Sequence, residues 1–360
     1  MKKKNAKNQI WKDNAITYGI VIAVYLIIQF MLKGGHMSSL MKGLLVPVCV
    51  YVIMAISLNL VVGISGELSL GHAGFMCVGA FSGALFTKCM ADTIPNMTLC
   101  FILAVLIGAL SAAFFGILIG IPVLRLQGDY LAIVTLAFGE IIKNIVNALF
   151  LGRDSQGFHF SIKAAANLQM EKGGEILIKG PQGITGNPRI SSFTIGVILI
   201  LVTLFIVQNI IHSRTGRAVM AIRDNRIAAQ SIGLSITKYK LMAFTVSAAL
   251  AGVGGVLYAH NLTTLTALPK NFGYNQSIMI LVFVVLGGIG NIRGSVIAAV
   301  VLTVLPELLR GMNNYRMLIY AVVLIVIMIF SSAPAMIAYR ERFVEKFRKN
   351  RPRAASKGGA

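Results

Sequence analysis

The chain has 360 residues, of which 56% are apolar and only 12% charged, about half the charged share of an ordinary soluble domain. That much apolar surface excludes a water-soluble fold. The net charge of +21 lies between long apolar runs rather than on a polar face, which points to a bilayer and away from nucleic acid.

Residues 1–14 carry five lysines and lead into an apolar run from Ala15 to Leu32. The pair resembles a secretory signal. The run is 18 residues long, however, and continues into Lys33-Gly34-Gly35-His36-Met37 without a small-x-small cleavage site, so it is expected to stay as the first span. At about 1.5 Å of rise per residue, roughly 20 apolar residues cross a hydrocarbon core of about 30 Å. Ten segments approach that length: 15–32, 43–63, 69–90, 98–121, 129–151, 192–212, 240–260, 276–290, 294–309 and 316–333. Glycine interrupts the third and the pair over 276–309, leaving re-entrant or broken forms open there.

Cytoplasmic loops retain Lys and Arg. With the N-terminus inside, the inner segments hold five such residues in 1–14, five in 213–239 and eight in 334–360, plus Arg125 and Arg293. The outer side has five in its long 152–190 loop, offset by Asp154, Glu171 and Glu175, and few elsewhere. The expectation is an all-α polytopic transmembrane helical bundle with both termini cytoplasmic. It comprises a basic N-terminus (1–14), a transmembrane domain (15–333) with a cytoplasmic loop at 213–239 and an extracytoplasmic loop at 152–190, and a basic tail (334–360).

Helices in lipid gain little from hydrophobicity when they associate, so small residues that let backbones approach matter more. Gly108, Ala112, Gly116 and Gly120 recur every fourth residue in the fourth span, and Gly79/Gly83 and Ala251/Gly255 repeat the device. These faces are expected to be helix contacts. Cys49, Cys77, Cys89 and Cys100 sit in or beside apolar segments without C-x-x-C spacing and read as packing residues.

Two stretches break the pattern. Gly63 to Gly74 packs four glycines, Glu67 and His72 into twelve residues, and Gly287 to Gly294 is glycine-rich in the other half. Such backbone survives at membrane depth only where protein buries it or water reaches it, and paired breaks in two halves point to transporters built from repeated units. In the fifth span Glu140, Lys143, Asn144 and Asn147 form a polar stripe at helical spacing. Charge in the membrane must be paired or hydrated. The stripe is therefore either a structural pairing such as Glu140 with Lys143 or part of a solute path. Glu67 and His72 are either caps of the broken segment or solute contacts. Glu67, His72, Glu140 and Asn144 are the candidate path residues.

No G-x-x-x-x-G-K-[ST] phosphate loop occurs, so the chain is not expected to hydrolyse ATP itself, and neither H-E-x-x-H nor G-x-S-x-G is present. No catalytic or metal-binding residue is assigned. The most informative stretch is the cytoplasmic loop from Arg217 to Gly233. Asp224 is a plausible N-cap and Gly233 suits the left-handed position after a helix end, which predicts a short inner-face helix. As a solvated linker, the loop would use its basic residues to anchor to anionic membrane lipid. Its small apolar core, Ala228-Ala229-x-x-x-Gly233, favours docking into a groove on another protein instead.

These residues resemble those of the branched-chain amino acid (Liv-type) permeases, the membrane subunits of bacterial ATP-binding cassette importers. The likeness lies in Ser57 to Gly63, Gly66 to Phe75, Pro122 to Glu140, Gly180 to Gly186, the cytoplasmic loop, and Gly287 to Gly294. It runs from about residue 45 to 333, is most specific in the block ending at Glu140, and leaves out both basic tails. The resemblance implies a bacterial inner-membrane permease for leucine, isoleucine and valine. Its partners would be a second homologous permease, two cytoplasmic ATPases that bind the ATP, and an extracytoplasmic amino-acid-binding protein; the chain itself would need no cofactor. The short helix would be the coupling helix inserted into an ATPase groove, carried by Arg217, Arg223, Asp224, Asn225, Ala228, Ala229 and Gly233. Ile227 stands where this superfamily usually has the glutamate of Glu-Ala-Ala-x-x-x-Gly. The same fold importing urea, amides or another small solute is the nearest alternative, and an ATPase-independent carrier a more distant one.

Overall fold

A computed structural model describes residues 2–332 except 36, 92, 126–127, 155–156, 163–167 and 169–173. The basic tail 334–360, Glu171 and the side chains of residues 1–14 lie outside the described residues. Contacts divide the chain into a main unit, Met1–Val304, and a smaller one, Leu305–Ala360. In the smaller unit a 3₁₀ segment, Leu309–Tyr315, leads into a terminal helix, Arg316–Ser332.

The chain is a helical polytopic membrane protein. In chain order its helices are α1 (Lys2–Lys33), α2 (Ser39–Asn59), α3 (His72–Met90), α4 (Met97–Val123), α5 (Asp129–Ala148), α6 (Phe193–His212), α7 (Arg214–Asp224), α8 (Arg226–Ser231), α9 (Ile236–Ala259), α10 (Pro269–Phe272), α11 (Tyr274–Gly287), α12 (Ile292–Leu308) and α13 (Arg316–Ser332). Among the described residues eight helical stretches are long and apolar enough to span a bilayer. Of the ten expected segments, the two below that length are α11, with 14 residues, and α13, with 17.

The frame is the seam between α3, α4 and α9, and the small-residue faces lie where their spacing predicts. A Cβ added at Gly252 would sit 2.6 Å from the Ala112 Cβ, one at Gly79 would sit 2.7 Å from the Gly252 carbonyl carbon, and one at Gly116 2.8 Å from the Ala248 Cβ. Backbones touch here, so dispersion and close packing replace the hydrophobic drive that lipid removes. A Cβ at Gly255 would press on the Met76 carbonyl oxygen and lie 2.8 Å from the Ala80 amide nitrogen. Gly255→Leu should therefore part α3 from α9 and destabilise the protein by about 3 kcal/mol or more. A drop in the thermal midpoint of the detergent-solubilised protein would report it; an unchanged midpoint would count against this seam as the frame.

α2 runs behind the seam as the enclosed central helix and is mostly buried, whereas residues 15–33 of α1 are mostly exposed and face outward. The four cysteines are free and buried. The segment over 152–190, expected as an extracytoplasmic loop, carries short strands that no composition signal announced. β1 (Phe150–Arg153) pairs antiparallel with β2 (Phe158–Ser161) and β3 (Glu175–Lys179), and β4 (Ile184–Thr185) pairs with β5 (Thr264–Leu265). Lys88 ties this layer to the end of α3 through the Thr185 carbonyl (3.2 Å) and Glu175 (2.9 Å), and Asn187 donates to the Ala259 carbonyl at the end of α9 (2.6 Å).

Candidate functional site

At the opposite, Arg-rich end both glycine breaks meet. α2 ends in a π-helical turn, Leu60–Ser65, and the chain reverses at Gly66, whose φ of +73° only glycine adopts readily. Gly63 abuts Gly290 so closely that a Cβ at Gly63 would lie 2.6 Å from the Gly290 Cα. Asn59, 1% exposed, joins the breaks: its Oδ1 accepts from the Gly290 amide (2.9 Å) and its Nδ2 donates to Ser295 Oγ (2.8 Å). A lone asparagine in an otherwise apolar run is the signal that the sequence offers for this junction.

The loop over 213–239 reaches the same point. Arg223 at the end of α7 donates from Nη1 to the Gly63 carbonyl (2.8 Å) and from Nε and Nη2 to Asp224 Oδ1 (3.0 and 2.9 Å). Its Cγ lies 2.6 Å from where a Gly66 Cβ would stand, so the stem packs against the reversal. Glu67 pairs with Lys240 near the start of α9. A cation thus closes the C-terminal end of the broken helix, where unsatisfied carbonyls favour positive charge.

Beside α5 two helices begin inside the bundle. Residues 66–71 turn inward, with the Leu70 amide donating to Thr135 Oγ1 of α5 (3.0 Å), and α3 starts at His72. From the other side residues 260–273 descend along α5. Asn147 donates to the Ala267 carbonyl (3.0 Å) and Glu140 accepts from the Tyr274 amide (2.8 Å), seven residues or about 10 Å apart on α5. α11 therefore starts about 10 Å short of the end of α5, as the re-entrant reading allows. Its Ser277 accepts from the Ala73 amide of α3 (3.1 Å), so two helix N-termini with their positive dipole ends converge there. His72, 2% exposed, shares a hydrogen bond with Ser57 Oγ (2.7 Å).

The candidate path residues thus split. Glu140 pairs with Lys143 and caps α11, His72 is sealed against Ser57, and Glu67 is held by Lys240: all three have protein partners. Asn144 does not join them. It is exposed on the outer face of α5 beside Ile141 (56%) and Ile145 (54%). Glu140, Lys143 and Asn147 lie within about 60° of one another round the helix, and Asn144 lies about 40° beyond Glu140, at the exposed edge of the same stripe.

The loop over 213–239 folds as two short helices, not one. α7 is capped by Ser213, whose hydroxyl accepts from the Gly216 amide (3.1 Å), and Arg217 donates to the His212 carbonyl (2.8 Å). The cap of α8 is Asn225, not Asp224: its Oδ1 accepts from the Ala228 amide (3.0 Å), while Asp224 is drawn to Arg223. Both residue types cap well, and the arginine decides which one does. Gly233 takes the left-handed position as expected (φ +84°), with the Leu234 amide closing on the Ala229 carbonyl (3.1 Å). Ala229 is buried, Ala228 is exposed, and Ile227 and Ile232 stand out at 82% and 75% exposed.

Broken helices in a polytopic bundle, with a capped helix presented beside the break, define a membrane permease of the transporter type. The branched-chain amino acid transport system permease component family matches residues 40–330, and the chain belongs to that family. It is a multi-pass inner-membrane protein. It is 37% identical over 290 residues to the high-affinity branched-chain amino acid transport system permease protein LivM of Salmonella typhimurium and 36% identical to LivM of Escherichia coli. Each match covers 78% of this chain and 66% of the relative, just under two thirds of its length. The ribose import permease protein RbsC of Escherichia coli is 28% identical over 32% of this chain and 37% of its own. No solved structure matches the chain significantly.

Proposed function

We propose that this chain is one of two homologous permease subunits of an ATP-binding cassette importer and forms half of the path for leucine, isoleucine or valine. Two cytoplasmic ATPases supply the energy, and an extracytoplasmic binding protein delivers the amino acid. The observation that carries this reading is the inner loop. One end presents Ile227 and Ile232 to solvent on a capped helix, and the other is fastened by Arg223 to the broken span. Exposed apolar side chains on a short, fixed helix fit a groove on a partner, and the arginine offers a route from that groove to the membrane.

The ATPases bind ATP, draw together and displace α8; α7 follows, and the junction of Gly63 with Gly290 changes. The Asn144 face of α5 turns toward the second permease, because an amide left in lipid would lack a partner. The partial likeness to a ribose permease supports the same architecture serving another solute. Leucine uptake into proteoliposomes, with each partner omitted in turn, tests the reading. Uptake should require ATP and every partner and fall to background without any one of them. Uptake by the purified chain alone would identify an independent carrier, and ATP-driven uptake of a sugar or amide in place of leucine would change the solute.

A further inference from the structure

We infer that β2 lies on the membrane surface and sinks Phe158, Phe160 and Ile162 into the headgroup boundary of the nearer leaflet. Residues 158–162 alternate Phe-His-Phe-Ser-Ile, a period of two that puts the apolar side chains on one face and His159 and Ser161 on the other. The polar face is tied down within the sheet. His159 Nε2 meets Asp154 Oδ2 (2.9 Å) across the turn, and Asp154 Oδ1 accepts from the Gly157 amide (3.1 Å). The apolar face is left open, with Phe158, Phe160 and Ile162 at 61%, 73% and 67% exposed.

The neighbouring strands fix which way that face points. Leu151 and Arg153 of β1 stand directly opposite Phe160 and Phe158, and cross-strand partners share a face. Arg153 donates from Nη1 to the Cys89 carbonyl in the last turn of α3 (3.0 Å), and Glu175, opposite Arg153 in β3, pairs with Lys88 beside it. Ile178, opposite Leu151, is buried. The sheet therefore turns this face toward the helix ends. β1 and β3 cover them, and β2, the outer strand of the order β2-β1-β3, carries the face past them. Depth follows from helix length: the apolar stretches of α3 and α5 have 19 residues each, about 28 Å against a hydrocarbon core of about 30 Å, so neither helix lifts the sheet clear of the lipid. β1 begins only two residues after α5 ends. Aromatic rings favour this boundary, where an apolar body sits beside water. The outer edge of β2 pairs with no strand among the described residues, and its backbone groups need water, which holds the strand at the headgroups and out of the hydrocarbon. Lipid fits the face better than a protein surface does, because protein interfaces carry about one hydrogen bond per 100–200 Å² and the polar group this face offers, Arg153, is engaged at Cys89. The inference does not depend on which solute the permease carries.

The test is spin labelling of the full complex in nanodiscs of equal phosphatidylethanolamine and phosphatidylglycerol. Phe158→Cys, Phe160→Cys and Ile162→Cys are labelled one at a time and the signal of the unsubstituted complex is subtracted; the chain's own four cysteines are buried. Collision rates with dissolved oxygen, which enters lipid, and with a water-soluble nickel chelate, which does not, then report the surroundings of each label. The oxygen-to-nickel ratio should exceed that of free label in buffer by about threefold or more, and stay below that of a label at Leu110→Cys, exposed at the middle of α4. A ratio equal to that in buffer would leave β2 in water, one equal to that at Leu110 would put it in the hydrocarbon, and low rates with both agents would place it under protein; each would overturn the inference. The three positions are exposed, so a label there displaces no packed neighbour, and if one variant fails to assemble the other two decide it.

Discussion

In the proposed importer, Arg223→Met should lower leucine uptake by about tenfold or more while ATP hydrolysis continues and the complex stays assembled in the membrane. Methionine keeps most of the aliphatic stem that covers Gly66 but removes the donors to the Gly63 carbonyl and Asp224. A hydrogen bond to a charged group contributes about 1.5–3 kcal/mol, and the lower figure applies because the Arg223 side chain is 36% exposed and water can replace it in part. At about 1.4 kcal/mol per factor of ten, that corresponds to roughly tenfold in the coupling of loop and break. Parallel assays of uptake and hydrolysis in proteoliposomes separate the outcomes. Unchanged uptake would show that force travels from α7 to the membrane by some other contact, and parallel loss of hydrolysis would place Arg223 at the ATPase surface.

The second large effect is expected from a single methyl group. Gly63→Ala drives a Cβ into the Asn59 side chain and the Gly290 backbone, neither of which has room to yield. Asn59 would surrender its bonds to Gly290 and Ser295 while remaining buried. Leaving buried polar groups unsatisfied costs about 1–3 kcal/mol each, and overpacking adds a similar amount. The variant should accumulate poorly or melt many degrees lower, and it should transport nothing measurable. Gly43→Ala is the control, because nothing stands within 4 Å of a Cβ there and alanine favours a helix interior. Its thermal midpoint should hold or rise slightly. Equal midpoints for both variants would remove the contact of the two breaks from the account.

Much of this was legible in the residues. Four-residue spacing of glycine and alanine identified the α3, α4 and α9 faces because packing in lipid leaves little else to set them. Glycine clusters located both breaks, and Gly233 announced its helix end. The pairing of Glu140 with Lys143 is one of the two readings the stripe allows, and the structure contains that pair. What the sequence did not disclose is which distant groups meet. Nothing local says that Gly63 faces Gly290, that Ser277 accepts from Ala73, or that Asp224 leaves its capping role for Arg223. The short strands between α5 and α6 escaped notice because they are pinned by Lys88, Arg153 and Asn187, contacts that form only once the spans have packed. The Asn144 face is the remaining gap: a stripe read along the helix axis does not resolve the side on which each member ends.

The start of α11 against Glu140 of α5 also bears on how the chain is made. Fourteen residues are too few to cross a bilayer on their own hydropathy. α11 emerges during synthesis well after α5, whose Asn147 and Glu140 receive it across 120 and 134 residues of chain. The order of translation therefore puts the dock in the membrane before its guest, and the segment is inserted by neighbours already in place.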